Sequence, residues 1–243
     1  VDSYGRDQDN PDINLANLLK ELSKIDDILR IRFLTSYPTD ITDELIVTVL
    51  ELDKVCEYFH IPMQSGSSEV LKKMNRRYDR ETYAKIVQKV RTMVPDVTIT
   101  SDFIAGFPGE TEETFDRLIT NLKKWRFDRL GCFTFSPEEG TVAYDMPNQI
   151  DEQTKIDRME IVYEVQRIIS EESNKNRLNT EVKVTIESIS DDGIFYKGRS
   201  YGEAPEVDPE IFVASQHGEL EIGKTYLVRL VDSSDYEITG VTV

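Results

Sequence analysis

One stretch constrains this chain more than any other: Thr100-Ser101-Asp102-Phe103-Ile104-Ala105-Gly106-Phe107-Pro108-Gly109-Glu110-Thr111. An apolar, β-prone run through Val97, Ile99, Phe103 and Ile104 ends in Gly-Phe-Pro-Gly. Glu110, Glu112 and Glu113 then open a helix at its positive end. A strand, a tight turn and a helix start therefore follow within about 15 residues. In α/β proteins ligands sit at the carboxyl ends of parallel strands, where such turns lie. Two glycines let backbone approach a ligand without a Cβ in the way. The same turn also serves as a plain βα connection.

The neighbouring sequence repeats this rhythm. Helical spacing links Ile13, Leu15, Leu18, Leu19, Leu22 and Ile25, and Arg30–Leu34 reads as a strand. A helix over Leu45–Leu52 and a strand over Tyr58–Met63 follow, the latter ending in Gln64-Ser65-Gly66-Ser67. A short helix holds Val70, Leu71 and Met74, and Asp79 caps a longer one through Tyr83, Ile86, Val87 and Val90. Past the Gly-Phe-Pro-Gly turn come a helix at Phe115–Leu122 and a strand at Leu130–Phe135. Strands alternating with such helices run parallel through right-handed crossovers. Four strands are too few for a closed eight-stranded barrel, so an open sheet or a partial barrel is expected.

From Asp151 the pattern changes. Ile156, Met159, Tyr163, Val165, Ile168 and Ile169 predict one long helix to about Asn176. Short strands follow at 182–189, 194–197, 211–214, 226–231 and 236–243, with Asp191-Asp192-Gly193 as a hairpin turn. They read as a small β-barrel. The expected domains are 1–178 and 179–243.

Net charge is −17, from 46 acidic and 29 basic residues. That sign repels nucleic acid phosphates and favours basic partners. No apolar run is long enough for a membrane span, and no signal peptide is visible. Two isolated cysteines, Cys56 at a helix end and Cys132 in a strand, form no disulfide framework. They suit a reducing, cytoplasmic setting. His60 and His217 have no partner at metal-ligand spacing.

Four strand ends gather polar or glycine-rich groups: Thr35-Ser36, Gln64 to Ser67, Asp102 with Gly106 to Glu110, and Ser136. In a parallel sheet they share one rim and can meet one ligand. Ser67 and Thr111 also suit helix capping, whereas Gln64 is the residue that capping explains least. No nucleophile, carboxylate pair, metal triad or P-loop stands on this rim, and no catalytic side chain is assigned. Lys72, Lys73, Arg76, Arg77 and Arg80 form a basic patch that reads as a solvated helix face or an anion site.

Tyr58-Phe59-His60-Ile61-Pro62-Met63-Gln64-Ser65-Gly66-Ser67, with Val70-Leu71, Met74 and Arg76, resembles the radical S-adenosylmethionine (SAM) methylthiotransferases of MiaB/RimO type. The stretch Asp102 to Thr111 and Phe133-Thr134-Phe135-Ser136 with Gly140-Thr141 resemble the same family. The resemblance covers essentially the whole chain. It implies a truncated, partial (β/α) TIM-type radical SAM barrel followed by a small all-β, OB-like TRAM barrel. It also implies a SAM rim made of Ser36, Gln64, Ser65, Gly66, Asp102, Ile104, Gly106, Gly109, Glu110, Phe135 and Ser136. Ile104 would pack on the adenine, and Glu110 stands one place late against the superfamily pattern.

The family has a tRNA branch, acting on an adenosine derivative, and a branch acting on an aspartate of a small-subunit ribosomal protein (protein 12). Phe135 to Thr141, with Glu138-Glu139, and Gly198 to Asp208 resemble the ribosomal-protein branch. Gln64-Ser65-Gly66-Ser67 is closer to the tRNA branch. The acidic charge favours a basic protein substrate, docked by Glu138, Glu139, Glu203, Glu206 and Asp208. The family uses two [4Fe–4S] clusters, one held by Cys-x-x-x-Cys-x-x-Cys. That motif is absent here. The expectation is a monomeric fragment that starts after the first strand and lacks the cysteine loop and the N-terminal domain. A non-catalytic acidic binding module on the same fold is the rival from another class.

Overall fold

The computed structural model describes residues 3–34, 36–216 and 218–243. Thr35 and His217, both singled out in the sequence, lie outside the described residues. The chain divides into two compact units, Val1–Gln166 and Arg167–Val243.

The first unit is built on three parallel strands in the order β1 (Tyr58–His60), β2 (Thr98–Ala105), β3 (Arg129–Thr134). Central β2 is rich in β-branched residues, and its alternate side chains serve different faces. Ile99, Phe103 and Ala105 are fully buried in the core. Phe103 joins Phe127 at 6.2 Å, and Tyr83 joins Trp125 at 5.4 Å between ring centroids. The segment expected as a strand at Arg30–Leu34 is less regular. It pairs with its neighbour at one bridge, Ile31 to Val55, while the Ser36 N–H donates to His60 O at 2.9 Å. Cys56 does not sit in a helix end. It follows that bridge in irregular backbone, its N–H donating to Ile31 O at 2.9 Å.

Helices α1 (Leu15–Ser23), α2 (Asp43–Glu51), α3 (Ser68–Lys73), α4 (Arg80–Met93) and α5 (Glu112–Trp125) begin at capping side chains: Asn14, Thr42, Ser67, Asp79 and Thr111. Each oxygen accepts a first-turn N–H that would otherwise lack a partner. Thr111 and Thr114 cap each other reciprocally. Replacing Thr111 with alanine should destabilise this unit by about 1 kcal/mol, a fall in Tm of about 2–4 °C. An unchanged Tm would show that the box contributes nothing. Gly66 has a packing role, since a Cβ there would stand 2.6 Å from the Cα of Leu118 on α5.

Helix α6 (Glu152–Asn176) runs through both units. Its faces differ from the sequence expectation: Tyr163 and Ile168 are exposed, while Lys155, Arg158, Val162, Gln166, Ile169, Ser170 and Asn174 are buried. Apolar residues are scattered round this helix, so periodicity alone selects no side. Polar contacts select it instead, because buried strand and turn ends offer oxygen atoms to long donors. In the first unit Gln166 Nε2 donates to Phe127 O at 2.8 Å.

The second unit closes β4 (Glu181–Ile189), β5 (Tyr196–Arg199), β6 (Ile211–Ala214), β7 (Thr225–Ser233) and β8 (Ile238–Thr242) into a barrel of order β4-β5-β6-β8-β7. Among the described residues of the barrel only β6 and β8 pair in parallel. Val184, Ile186, Ile211, Val213, Val228, Leu230 and Ile238 fill its centre. In β5, Gly198 lies opposite Ile186, where the ladder register shifts, and a Cβ there would collide with Thr185 O.

Candidate functional site

Parallel pairing aligns the strand ends on one rim. Gln64 bridges to Phe103, receives the Ile104 N–H on its carbonyl and donates its own N–H to Asp102 O, both at 2.9 Å. Phe135 N–H donates to Ala105 O at 2.9 Å. Ser36, Gln64, Asp102, Ile104 and Phe135 thus stand on adjoining strand ends.

Two of these are held in a state that suits a ligand. Ser36 is fully buried, yet its Oγ has no hydrogen-bond partner. Gln64 adopts φ 73°, in the left-handed region. For a residue with a Cβ this conformation costs about 1–2 kcal/mol, and such strain gathers at functional sites. Asp102 is half-buried and meets His60 through Oδ2 and Nε2 at 3.1 Å. The other ring nitrogen of His60 lies 2.8 Å from Thr100 Oγ1. Gly131 faces Asp102 across the ladder, and a Cβ there would stand 2.6 Å from Asp102 Oδ1.

Other residues expected on the rim have structural partners. Ser65 Oγ accepts the Ser67 N–H at 3.3 Å. Gly106 and Gly109 hold φ 76° and 80°, and side chains there would strike Lys155 and Lys73. Glu110 is buried: it accepts the Gly106 N–H at 3.0 Å and pairs with Arg158 at 2.8 Å. Burial pushes its carboxyl above the usual range, against the pull of the Gly106 N–H and the Arg158 charge. Lys155 Nζ donates to Phe135 O at 2.8 Å, and the Phe107 and Phe135 rings meet at 5.0 Å. The first half of α6 therefore fastens the Gly-Phe-Pro-Gly turn to the end of β3. Ser136 Oγ turns to Glu138 at 3.1 Å.

Beside the rim lies a cleft of about 550 Å³, whose wall includes Arg6, Ser36, Gln64, Asn75, Arg76, Arg77 and Tyr78. Asn75, at φ 58°, ends α3 and lets the Arg76 N–H return to Leu71 O at 2.9 Å. This reversal delivers both arginines to the cleft. Tyr78 donates to Pro62 O and Met63 O, each at 3.1 Å, and burial pushes its phenol up to about 12.

The acidic residues expected to dock a substrate divide. Glu138, Glu139 and Glu206 are exposed. Glu203 and Asp208 are not surface groups. Glu203 accepts from Arg177 Nη1 at 2.8 Å and from the Ser200 N–H at 2.9 Å, and Asp208 accepts the Ala204 N–H at 2.7 Å. They shape the loop that carries them.

His60, Lys155 and Arg158 were missed in the sequence. A strand register would have aligned His60 with Thr100 and so brought it near Asp102. Nothing in the sequence singles out Lys155 and Arg158 among the charges of α6.

A Radical SAM superfamily model matches residues 3–122, and a TRAM domain model matches 180–243. The tRNA-2-methylthio-N(6)-dimethylallyladenosine synthase of Thermoanaerobacter pseudethanolicus is 49% identical over 190 residues, 78% of this chain and 40% of that protein. The ribosomal protein uS12 methylthiotransferase RimO of Clostridioides difficile is 38% identical over 98% of this chain and 52% of that protein. A tRNA enzyme of the first name from Alkaliphilus oremlandii is 41% identical over 100% of this chain and 50% of its own length. The chain spans about half the length of these curated relatives. Coproporphyrinogen III oxidase (HemN) from Escherichia coli, a radical SAM enzyme, shares the fold: TM-score 0.53, 14% identity, 79% of this chain and 52% of that one.

These matches imply SAM and iron–sulfur chemistry. The orphaned Ser36 hydroxyl and strained Gln64 fit a polar ligand at the rim. The described residues do not fit a cluster, since no three His, Cys, Asp or Glu side chains gather among them. Cys56 and Cys132 are both buried, and burial pushes the Cys132 thiol up to about 12, away from the thiolate that iron requires. With the Radical SAM match, the TRAM match and relatives of both substrate types in hand, the chain belongs to the MiaB/RimO-type family of radical SAM methylthiotransferases.

Proposed function

We propose that the chain serves methylthio transfer to the β-carbon of an aspartate in a small-subunit ribosomal protein, in the cytoplasm. The observation that carries this reading is the charge state of the barrel. Residues 180–243 contain thirteen acidic and five basic side chains. Lys197 and Arg199 pair with Glu210, Arg199 also with Glu187, Lys224 with Glu221, and Arg229 with Glu181. RNA modules hold phosphates with free cations. Cations already tied to carboxylates suit a basic protein partner instead. Among the described residues no helix is long and apolar enough to cross a membrane.

SAM, when bound and reduced by one electron from an iron–sulfur cluster, would supply the radical, and SAM would also supply the methyl group. On the rim, the Ser36 hydroxyl and Gln64 amide bind its polar groups, and Asp102, steadied by His60, accepts from its hydroxyls. Ile104 offers the apolar surface for the base, and the Phe107–Phe135 pair keeps water from that edge. Two iron–sulfur clusters are part of this proposal, and among the described residues no three His, Cys, Asp or Glu side chains gather to hold one.

The tRNA reading is favoured by the 46–49% identity to tRNA enzymes. Fluorescence anisotropy at physiological salt separates the two. The expected result is binding of the ribosomal protein that weakens with added salt, and no tRNA binding at micromolar chain. Tight, salt-sensitive tRNA binding would reverse the assignment.

A further inference from the structure

The cleft beside the rim carries a local charge opposite to that of the whole chain. Arg6 on its wall is paired with Asp40. Arg76 and Arg77 face the same space and have no carboxylate partner among the described residues. Arg76 is half-buried, and its Nε is buried without a hydrogen bond, as is Ser36 Oγ. A buried guanidinium donor lacking an acceptor is unfavourable, so the wall is complete only when an acceptor enters. The planar fork of arginine matches a carboxylate through two parallel hydrogen bonds.

We propose that this cleft receives the carboxylate of the acidic side chain to be modified, gripped by Arg76 with Arg77. The proposal rests on the ribosomal-protein reading above and adds how the acidic residue is picked out. A chain of net charge −17 draws in a basic polypeptide, while two unpaired guanidiniums in the cleft select the rare acid within it. A volume of about 550 Å³ suits one side chain and its flanks. A phosphate would satisfy the same donors, but the surrounding negative field opposes a polyanion.

The test uses the 243-residue chain and three fluorescein-labelled probes: a Lys/Arg-rich peptide with one central Asp, its Asn twin, and an anticodon stem-loop RNA. The Asp peptide should bind about tenfold more tightly than the Asn twin. In R76Q, and in R77Q, where the altered residue is exposed and folding is not at risk, that preference should shrink to about twofold while Asn-peptide binding stays unchanged. Equal binding of the twins by the unaltered chain overturns the proposal and leaves the ribosomal-protein reading standing. A preference that survives in both variants overturns it too. RNA binding that depends on Arg76, with neither peptide bound, removes both and makes the cleft a phosphate site.

Discussion

Replacing Arg158 with methionine should destabilise the N-terminal unit by about 3–5 kcal/mol, among the largest effects expected of any single change here. Arg158 is 6% exposed and pairs with Glu110, which is 2% exposed, at 2.8 Å. Methionine removes the charge but keeps the carboxylate buried, and an unpaired buried carboxylate is what makes such losses severe. Its second partner, Glu112, is 79% exposed and adds little. Tm should fall by about 10 °C or more. Trp125 is the one tryptophan of the chain and is buried in this unit, so its fluorescence reports the transition.

The loss should depend on pH in a definite direction. Burial holds the Glu110 carboxyl above the ordinary glutamate range, so the folded state takes up its proton more readily than the unfolded chain. Its contribution to stability is therefore fully present below the unfolded value and declines as pH rises through the raised one. Without Arg158 the carboxyl rises further, so the penalty is smallest at acid pH and grows as pH rises through the raised range. A variant that melts within 2 °C of the parent at neutral pH, or loses more at acid pH, would refute this account.

The second large effect is in the barrel. Replacing Glu203 with alanine should destabilise that unit by about 2–3 kcal/mol. Glu203 is 1% exposed and joins Arg177, the Ser200 N–H and the Ser200 hydroxyl, the last at 2.5 Å. Removing it orphans a buried backbone donor. Arg177, 22% exposed, reaches water and limits the loss. Amide exchange in β4–β8 should accelerate by about 30-fold or more. Slow exchange like that of the parent, with weakened capture of the ribosomal protein, would instead make Glu203 a docking group.

Much of the first unit is legible in the sequence because its signals are local. Capping side chains Ser67, Asp79 and Thr111 stand directly before helical runs, and β-branched residues mark β2. The region 30–34 was less legible, since β propensity does not say how many residues will find ladder partners. In α6 the scattered apolar residues named no face, and polar contacts chose one. The acidic loop of the barrel misled for a related reason: burial of a carboxylate depends on partners such as Arg177 and Ala204 N–H, which composition cannot announce.

The site divides in the same way. The glycine turn, Gln64, Asp102 and Ser136 were visible as strand-end residues, because β/α alternation alone fixes which ends share a rim. What the sequence determined by itself is therefore that alternation, the five-strand character of the C-terminal segment, the helix starts and the family. Tertiary structure decided that Glu110 is a buried anchor for Arg158, that His60 steadies Asp102, that Ser36 Oγ is left without a partner, and that Arg76 and Arg77 line a cleft with it. Each of these depends on residues distant in sequence meeting where water is excluded. Desolvation and the pairing of buried polar groups are properties of that meeting, not of any local stretch.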